Sequence, residues 1–363
     1  MNEPELALAL IGFGNVARRF LRLLDETADR LDFSWKLVTI ATARHGSVVD
    51  AEGIDAPRAI AAVEGGRSLD RVGGTSRNCS GIDVIRQFTN LLADECGEGR
   101  VVMIETTLLD IDRGEPATAH IRASLEGLAH VVTVNKGPVA FAYASLRQLA
   151  RAVDREFLFE GTVMDGVPIF NLVRETMPAI KIQGFRGVIN TTCNYALSEL
   201  ERGVSLRDAI AEMQSRGIAE ADPSLDIDGW DAAAKTAALT NVLLGTSITP
   251  HDVARTGIRE VSSHEAAEAA ASGRRVRLVA SARRHGSRVE ARVEPELLDP
   301  RDPLASLGGL ENALYLHTDV LGEVGVVQRT STLKQTAYAL LSDVSRISAS
   351  LRARLSAPGD QTL

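Results

Sequence analysis

The sequence predicts an α/β fold in two parts, and three observations carry that expectation. Leu6–Ile11 is an unbroken apolar run, followed at once by Gly12-Phe13-Gly14-Asn15-Val16-Ala17 and a helix-periodic set of Phe20, Leu21, Leu23 and Leu24. Apolar strands recur at 36–41, 101–104 and 130–134 with helical stretches between them, the pattern of a parallel sheet buried on both faces. Further on, 274–281 and 288–294 alternate apolar and polar residues, as antiparallel strands with one wet face do, and 312–319 continues that sheet. The expected organisation is an N-terminal α/β half over 1–145 and a second, α+β half with a mixed or antiparallel sheet over 146–335. A long helix over 336–355 closes the chain and is expected to pack back on the first half.

Bulk properties bound the function classes. The chain has 363 residues, of which 45% are hydrophobic and 24% charged, and a formal net charge of -8. That is an ordinary globular composition with no basic surface for nucleic acid. No apolar run reaches the roughly 18 to 20 residues that cross a bilayer. The N-terminus, Met1-Asn2-Glu3-Pro4-Glu5, is acidic, and the apolar run after it is too short for a secretory signal. Cys79, Cys96 and Cys193 have neither metal-type spacing nor even number. The expectation is a cytoplasmic protein without a disulfide framework.

The glycine turn gives the first chemistry. G-x-G-x-x-A between a strand and a helix is a dinucleotide-binding fingerprint. Gly12 permits the tight turn, Gly14 lets the backbone approach a pyrophosphate, and the amides of Phe13, Asn15 and Val16 lie at the helix start where that anion would sit. The second strand runs into Thr42-Ala43-Arg44-His45-Gly46 with no acid for a ribose 2'-hydroxyl. Arg44 suits a 2'-phosphate, which favours NADP while leaving NAD open; a solvated surface arginine is the plainer alternative. Residues 46–80 support little beyond a helix or two.

Later strands end in polar residues at the crevice side. The strand at 101–104 leads into Glu105-Thr106-Thr107, and that at 130–134 into Asn135-Lys136-Gly137-Pro138. Residues at the carboxyl ends of parallel strands face the ligand. Glu160-Gly161-Thr162-Val163-Met164-Asp165-Gly166-Val167-Pro168 is glycine-interrupted and irregular; a carboxylate with free carbonyls can hold a hard cation, although a tight turn explains the same residues. Asn190-Thr191-Thr192-Cys193 opens a helix, with hydroxyls that either bind a ligand or cap the helix.

The densest stretch runs from Gly217 to Lys235 and holds Glu220, Asp222, Asp226, Asp228 and Asp231. Gly217, Asp222-Pro223 and Gly229 interrupt regular structure, and Ala232-Ala233-Ala234 then favour a helix. Asp231 and Lys235 become i,i+4 neighbours on it. A surface ion pair reads the same way, but this crowding of carboxylates around a lysine favours chemistry.

Together these segments resemble the homoserine dehydrogenase family, closely over 6–260 and more loosely over 270–350. The resemblance rests on Asn135-Lys136-Gly137-Pro138, Glu160 through Gly166, and above all Gly217-Ile-Ala-Glu-Ala-Asp-Pro through Asp231-Ala-Ala-Ala-Lys235. It implies a Rossmann domain, an α+β region for substrate binding and dimerisation, and a homodimer. It also implies reversible, NAD(P)-dependent interconversion of L-aspartate 4-semialdehyde and L-homoserine, on the route to threonine and methionine. By position, Lys235 is implied as general acid/base and Asp231 as its partner. Glu220 and Asp226 would hold the substrate, with Thr191, Thr192 and Lys136 lining the pocket. Lys136, Thr106, Thr107 and Gly217 would lie on the cofactor side. Glu160, with the backbone oxygens of Val163, Asp165 and Val167, matches a monovalent cation site, usually sodium. One segment departs from the family: side chains occupy Gly325-Val-Val-Gln-Arg-Thr-Ser-Thr-Leu-Lys-Gln-Thr336 where a glycine-rich run is usual. That departure keeps two other readings open, a related hydroxy acid or aldehyde as substrate, or a catalytically idle NADP-binding protein.

Overall fold

A strand without polar alternation must be covered on both faces, and the first half of the chain covers its strands with helices. The computed structural model describes residues 4–77, 81–95, 99–216 and 222–356. In chain order the first half comprises β1 (Glu5–Ile11), α1 (Asn15–Glu26), β2 (Ser34–Ala41), β3 (Ser47–Val49), α2 (Ala56–Glu64), β4 (Thr75–Arg77), α3 (Gly81–Glu95), β5 (Val101–Glu105), α4 (Ala117–Glu126), β6 (His130–Thr133), α5 (Lys136–Ala152) and β7 (Phe157–Leu158). The strands form one sheet in the order β4-β3-β2-β1-β5-β6-β7. From β2 through β7 every neighbour pair is parallel, and β3 and β4 add an antiparallel edge. That edge lies in the stretch from 46 to 80, whose short strands carry too few residues for a periodic signal.

The second half comprises α6 (Ile169–Thr176), β8 (Ile182–Val188), α7 (Thr191–Leu200), α8 (Leu206–Ser215), α9 (Ser224–Ile227), α10 (Trp230–Leu244), β9 (Ala254–Arg255), α11 (Ser263–Ala271), β10 (Arg275–His285), β11 (Arg288–Leu298), β12 (Asn312–Thr318), β13 (Glu323–Gln328) and α12 (Leu333–Ser356). Its sheet runs β13-β12-β8-β10-β11-β9 and is mixed, antiparallel except where β9 lies parallel to β11. Residue 145 falls inside α5, and the first sheet closes only with β7 beyond it.

Two apolar layers set the halves together. Leu6, Leu8 and Leu10 of β1 pack with Phe20 and Leu24 of α1 and with Leu340, Val344 and Ile347 of α12. The closing helix therefore covers the first sheet although it leaves from the second. On the other face, Ala7, Ala9 and Ile11 belong to one continuous core with Val139 and Ala140 of α5, Ala233 and Ala237 of α10, and Phe185 of β8. α10 is buried nearly all round and rich in alanine, which permits close helix approach. Buried Asn241 fixes that packing: its Nδ2 donates to the Val139 and Ala140 carbonyls at 3.3 and 3.1 Å. This contact ties the first turn of α5 to the last turn of α10, and at the other end of α10 Asp231 meets Lys136.

Candidate active site

The glycine turn after β1 is built from backbone. Gly12 has φ +89°, and a Cβ there would come within 2.8 Å of the Thr106 carbonyl carbon. The Thr106 hydroxyl donates to the Gly12 carbonyl at 3.1 Å, and its amide donates to the Ile11 carbonyl at 2.8 Å, so the turn is locked to the end of β5. Gly14 caps α1 without a side-chain hydrogen bond, and space beside its Cα is open to 4 Å. The first amides of α1 thus face the crevice without a side-chain cap, as anion sites at helix starts require. Phe13 is buried and Val16 half-buried in the first core, while the Asn15 carboxamide accepts from Arg18 at 2.7 Å. The Phe13 carbonyl accepts from the Arg18 guanidinium at 2.8 Å, which leaves the amides of the turn as its uncapped groups. Arg44 is exposed at the tip of the turn after β2, which the Thr42 hydroxyl closes on the Gly46 carbonyl at 2.9 Å.

A polar bridge leads from this turn to the second half. Glu105 is fully buried at the end of β5, and both the amide and the hydroxyl of Thr107 donate to its carboxylate. The Asn135 side chain donates to the Thr107 carbonyl at 3.0 Å while accepting from the Gly137 amide at 2.9 Å as the cap of α5. The expected turn at 135–138 is therefore a helix start, and Lys136 is its first residue.

Lys136 leads into a cluster gathered from α5, α7, α9 and α10. Its Nζ lies 3.1 Å from one Asp231 oxygen, and Lys235 Nζ lies 2.9 Å from the other. Lys235 also donates to the Ile189 carbonyl at 2.8 Å. The Asn190 side-chain amide donates to Asp226 at 2.6 Å and to Asp231 at 2.9 Å, and its oxygen caps α7 by accepting from the Cys193 amide at 2.8 Å. An ammonium has three donors. With two of them on Asp231 and Ile189, Lys235 has a third without a partner among the described residues.

The charges shift one another. Burial pushes Asp231 up, but Lys136 and Lys235 outweigh it and hold the carboxyl far below the usual range. Burial pulls Lys235 down, and the Asp231 carboxylate more than reverses this, aided by Asp165 and Asp226, so its value rises. Asp226 is raised by burial and by the neighbouring Asp231 charge. One carboxylate is thus pinned ionised, and the other lies next to it with a weaker hold on its charge.

The remaining predicted residues divide. Thr191 is half-buried at the start of α7 and accepts from Asn312 at 2.8 Å; Thr192 beside it is buried. Gly217 and Glu220 lie outside the described residues. The Glu160 carboxylate is already engaged: its two oxygens accept from the Phe170 and Asn171 amides at 2.8 and 2.7 Å, capping α6 in place of Pro168. Each oxygen thus takes one amide, and a carboxylate keeps further lone pairs beyond these two. Asp165 faces the segment from 328 to 336, accepting from Gln328, Ser331 and Thr336. Sequence reasoning missed the bridging role of Asn190 and the polar pair Asn312–Gln328. The N-cap pattern at 190 was a visible signal for Asn190; nothing local marked the other two. A separate groove of about 1000 Å³, walled by Tyr143, Arg147, Phe159 and Arg174 among others, contains none of the predicted site residues.

An uncapped glycine turn at a strand-to-helix junction and a buried, carboxylate-held lysine are the parts a nicotinamide-dependent oxidoreductase uses. The homoserine dehydrogenase family model matches residues 168–345. The chain is 35% identical to an NAD(+)-dependent homoserine dehydrogenase of Pseudomonas canavaninivorans, over 94% of this chain and 96% of that one. It is 33% identical to a homoserine dehydrogenase of Methanocaldococcus jannaschii over 94% of this chain and 98% of that one. The chain belongs to the homoserine dehydrogenase family. Among solved structures, a hyperthermophilic archaeal homoserine dehydrogenase in complex with NADPH superposes with a TM-score of 0.76 at 29% identity, covering 98% of this chain and 99% of that one. The homoserine dehydrogenase of Thermoplasma acidophilum gives a TM-score of 0.79 at 28% identity, covering 95% and 99%.

Proposed function

We propose that the chain interconverts L-homoserine and L-aspartate 4-semialdehyde with a nicotinamide cofactor, in the formation of threonine and methionine. The observation that carries this is Lys235, held on two of its donors by Asp231 and Ile189 with its third left beside the crevice. When bound, the nicotinamide exchanges a hydride with the carbinol carbon. The protein's share is the proton and the placing of charge. In its neutral form, which higher pH supplies, Lys235 takes the hydroxyl proton in oxidation, and as the ammonium it returns a proton in reduction. Asp231 holds Lys235 and neutralises Lys136. Asp226 and Glu220 are the acids for the substrate ammonium, and Thr191 and Thr192 line the same pocket. An idle binding protein has no use for this cluster, and the family relatives favour homoserine over a related substrate. Purified protein supplied with L-homoserine and NADP or NAD should raise nicotinamide absorbance at alkaline pH; silence with both cofactors sinks the reading.

Three finer assignments belong with it. Arg44, at a turn without an acid, supports NADP over NAD, and Gly12, Phe13, Gly14, Asn15, Val16, Thr106 and Thr107 form the rest of the cofactor wall, with Lys136 at the junction and Gly217 as its further member. A monovalent cation, sodium by preference, is held by Glu160 with the backbone oxygens of Val163, Asp165 and Val167. An observation favouring positive charge there is Asp343: its Oδ1 is buried without a partner among the described residues, its other oxygen accepts from the Glu160 amide, and burial pushes its carboxyl up to about 7. The working unit is a cytoplasmic homodimer. Val320 and Leu321, both more than half exposed at the tip of the β12–β13 hairpin, offer apolar surface to a second copy. No helix among the described residues is long and apolar enough to cross a membrane, and Cys193 is buried and unpaired.

A further inference from the structure

Asp165 lies at the head of a directed chain of hydrogen bonds. Its carboxylate accepts from Gln328 Nε2 at 2.9 Å, Ser331 Oγ at 2.6 Å and Thr336 Oγ1 at 2.9 Å. An ionised carboxylate only accepts, so Gln328 must turn its nitrogen towards it. That leaves the Gln328 oxygen facing inward, where it accepts from Asn312 Nδ2 at 3.0 Å. The same Asn312 nitrogen donates its other hydrogen to Thr191 Oγ1 at 2.8 Å. Asn312 Oδ1 is left buried with no partner among the described residues. An amide free to turn would satisfy its oxygen; this one is held the other way by Gln328, whose oxygen it must meet with a donor.

The direction decides what Thr191 can do. Its oxygen receives a hydrogen bond, and its own proton has no acceptor among the described residues. Thr191 stands next to Asn190, which grips Asp226 and Asp231, and two residues from the Ile189 carbonyl that holds Lys235. It therefore offers a donor at the edge of the proton cluster. Of the polar groups on homoserine, the ammonium cannot accept and the hydroxyl is engaged with Lys235. The carboxylate remains.

We propose that Asp165 is a positioning residue for substrate: acting through Gln328 and Asn312, it fixes Thr191 as a hydrogen-bond donor to the carboxylate of the amino-acid substrate. The inference rests on the activity proposed above. It also gives the side chains of the departing segment a task, since Gln328, Ser331 and Thr336 are the groups that hold Asp165.

Asp165→Asn tests it by reversing the chain. The new amide can donate to Gln328, which lets Gln328 and Asn312 turn over and leaves Thr191 donating back into the protein. With wild-type turnover of L-homoserine established first, so that a failure of the activity is told apart from a failure of the relay, Asp165→Asn should raise KM for homoserine about tenfold, the scale of one bond to a charged group. The cofactor KM should stay within about twofold. Gln328→Met, which keeps Ser331 and Thr336 on Asp165, should do the same. Thr191→Val should match that rise, and adding Asp165→Asn to it should change nothing more; in a Thr191→Ser background Asp165→Asn should regain its full effect. Additive losses in the Val background, an unchanged KM in Asp165→Asn, or equal rises in the homoserine and cofactor KM would overturn the proposal.

Discussion

The cofactor turn works through backbone geometry inside one short stretch, Gly12 to Val16, whereas the proton cluster draws Lys136, Asn190, Asp226, Asp231 and Lys235 from four separate helices or their caps. The first needs small residues and an open helix end. The second needs side chains to meet across the fold, and they meet because α10 packs on α5 through alanines. The difference teaches where each site is fragile. A backbone site fails when an atom is added; a converged cluster fails when a charge is removed, because the charges left behind lose their partner.

The largest effect should come from the cluster. Lys235→Ala is expected to lower kcat by about 10² to 10⁴, the usual worth of a positioned acid/base, with the cofactor KM little changed in steady-state assays. A loss confined to KM would assign Lys235 to binding alone. Asp231→Asn should lower kcat too, and its signature is the pH profile. Asp231 raises the Lys235 value, so its removal lowers it, and the rise of homoserine oxidation with pH should move towards lower pH. A profile that stays in place separates the two residues. Stability follows from the same shifts. The depressed Asp231 contributes above the unfolded carboxylate value of about 3.9 and loses that contribution as pH falls through its folded value. The raised Lys235 contributes below about 10.4 and loses it as pH rises through its own.

At the cofactor turn the two glycines should part company. Gly12→Ala puts a side chain at positive φ against the Thr106 backbone and should cost about 2 kcal/mol or more of stability, read by denaturant unfolding. Gly14→Ala meets open space at φ -74° and should fold normally, yet raise the KM of both cofactors about tenfold by obstructing the pyrophosphate. Equal unfolding midpoints for the two variants would break the contrast. The smallest effect is at the rim: Arg44→Ala should raise KM for NADP several-fold, about one charge-assisted bond, and leave NAD within about twofold.

The same contrast explains what could be read from the chain. The glycine turn was legible because strand, turn and helix follow each other directly. Asp231 and Lys235 were legible because one helix turn links them. Asn190 showed itself as a helix opener, but its grip on Asp226 and Asp231 spans 36 and 41 residues, which no local pattern carries. Glu160 read as a cation ligand because acid and glycines stood together, while the α6 amides that also meet its oxygens show only in the folded chain. β13 is a short edge strand around Gly325, against the Tyr315 ring. In sequence it read only as missing glycines.

The chain passes from the first sheet to the second between Leu158 and Ile182, and returns between Gln328 and Leu333 to lay α12 over α1. Asp165 in the outward passage is bonded to Gln328, Ser331 and Thr336 at the return. Mechanically the two passages are stapled together. Neither passage can then shift against the other without breaking three hydrogen bonds, which adds a polar tie to the apolar core the two halves share.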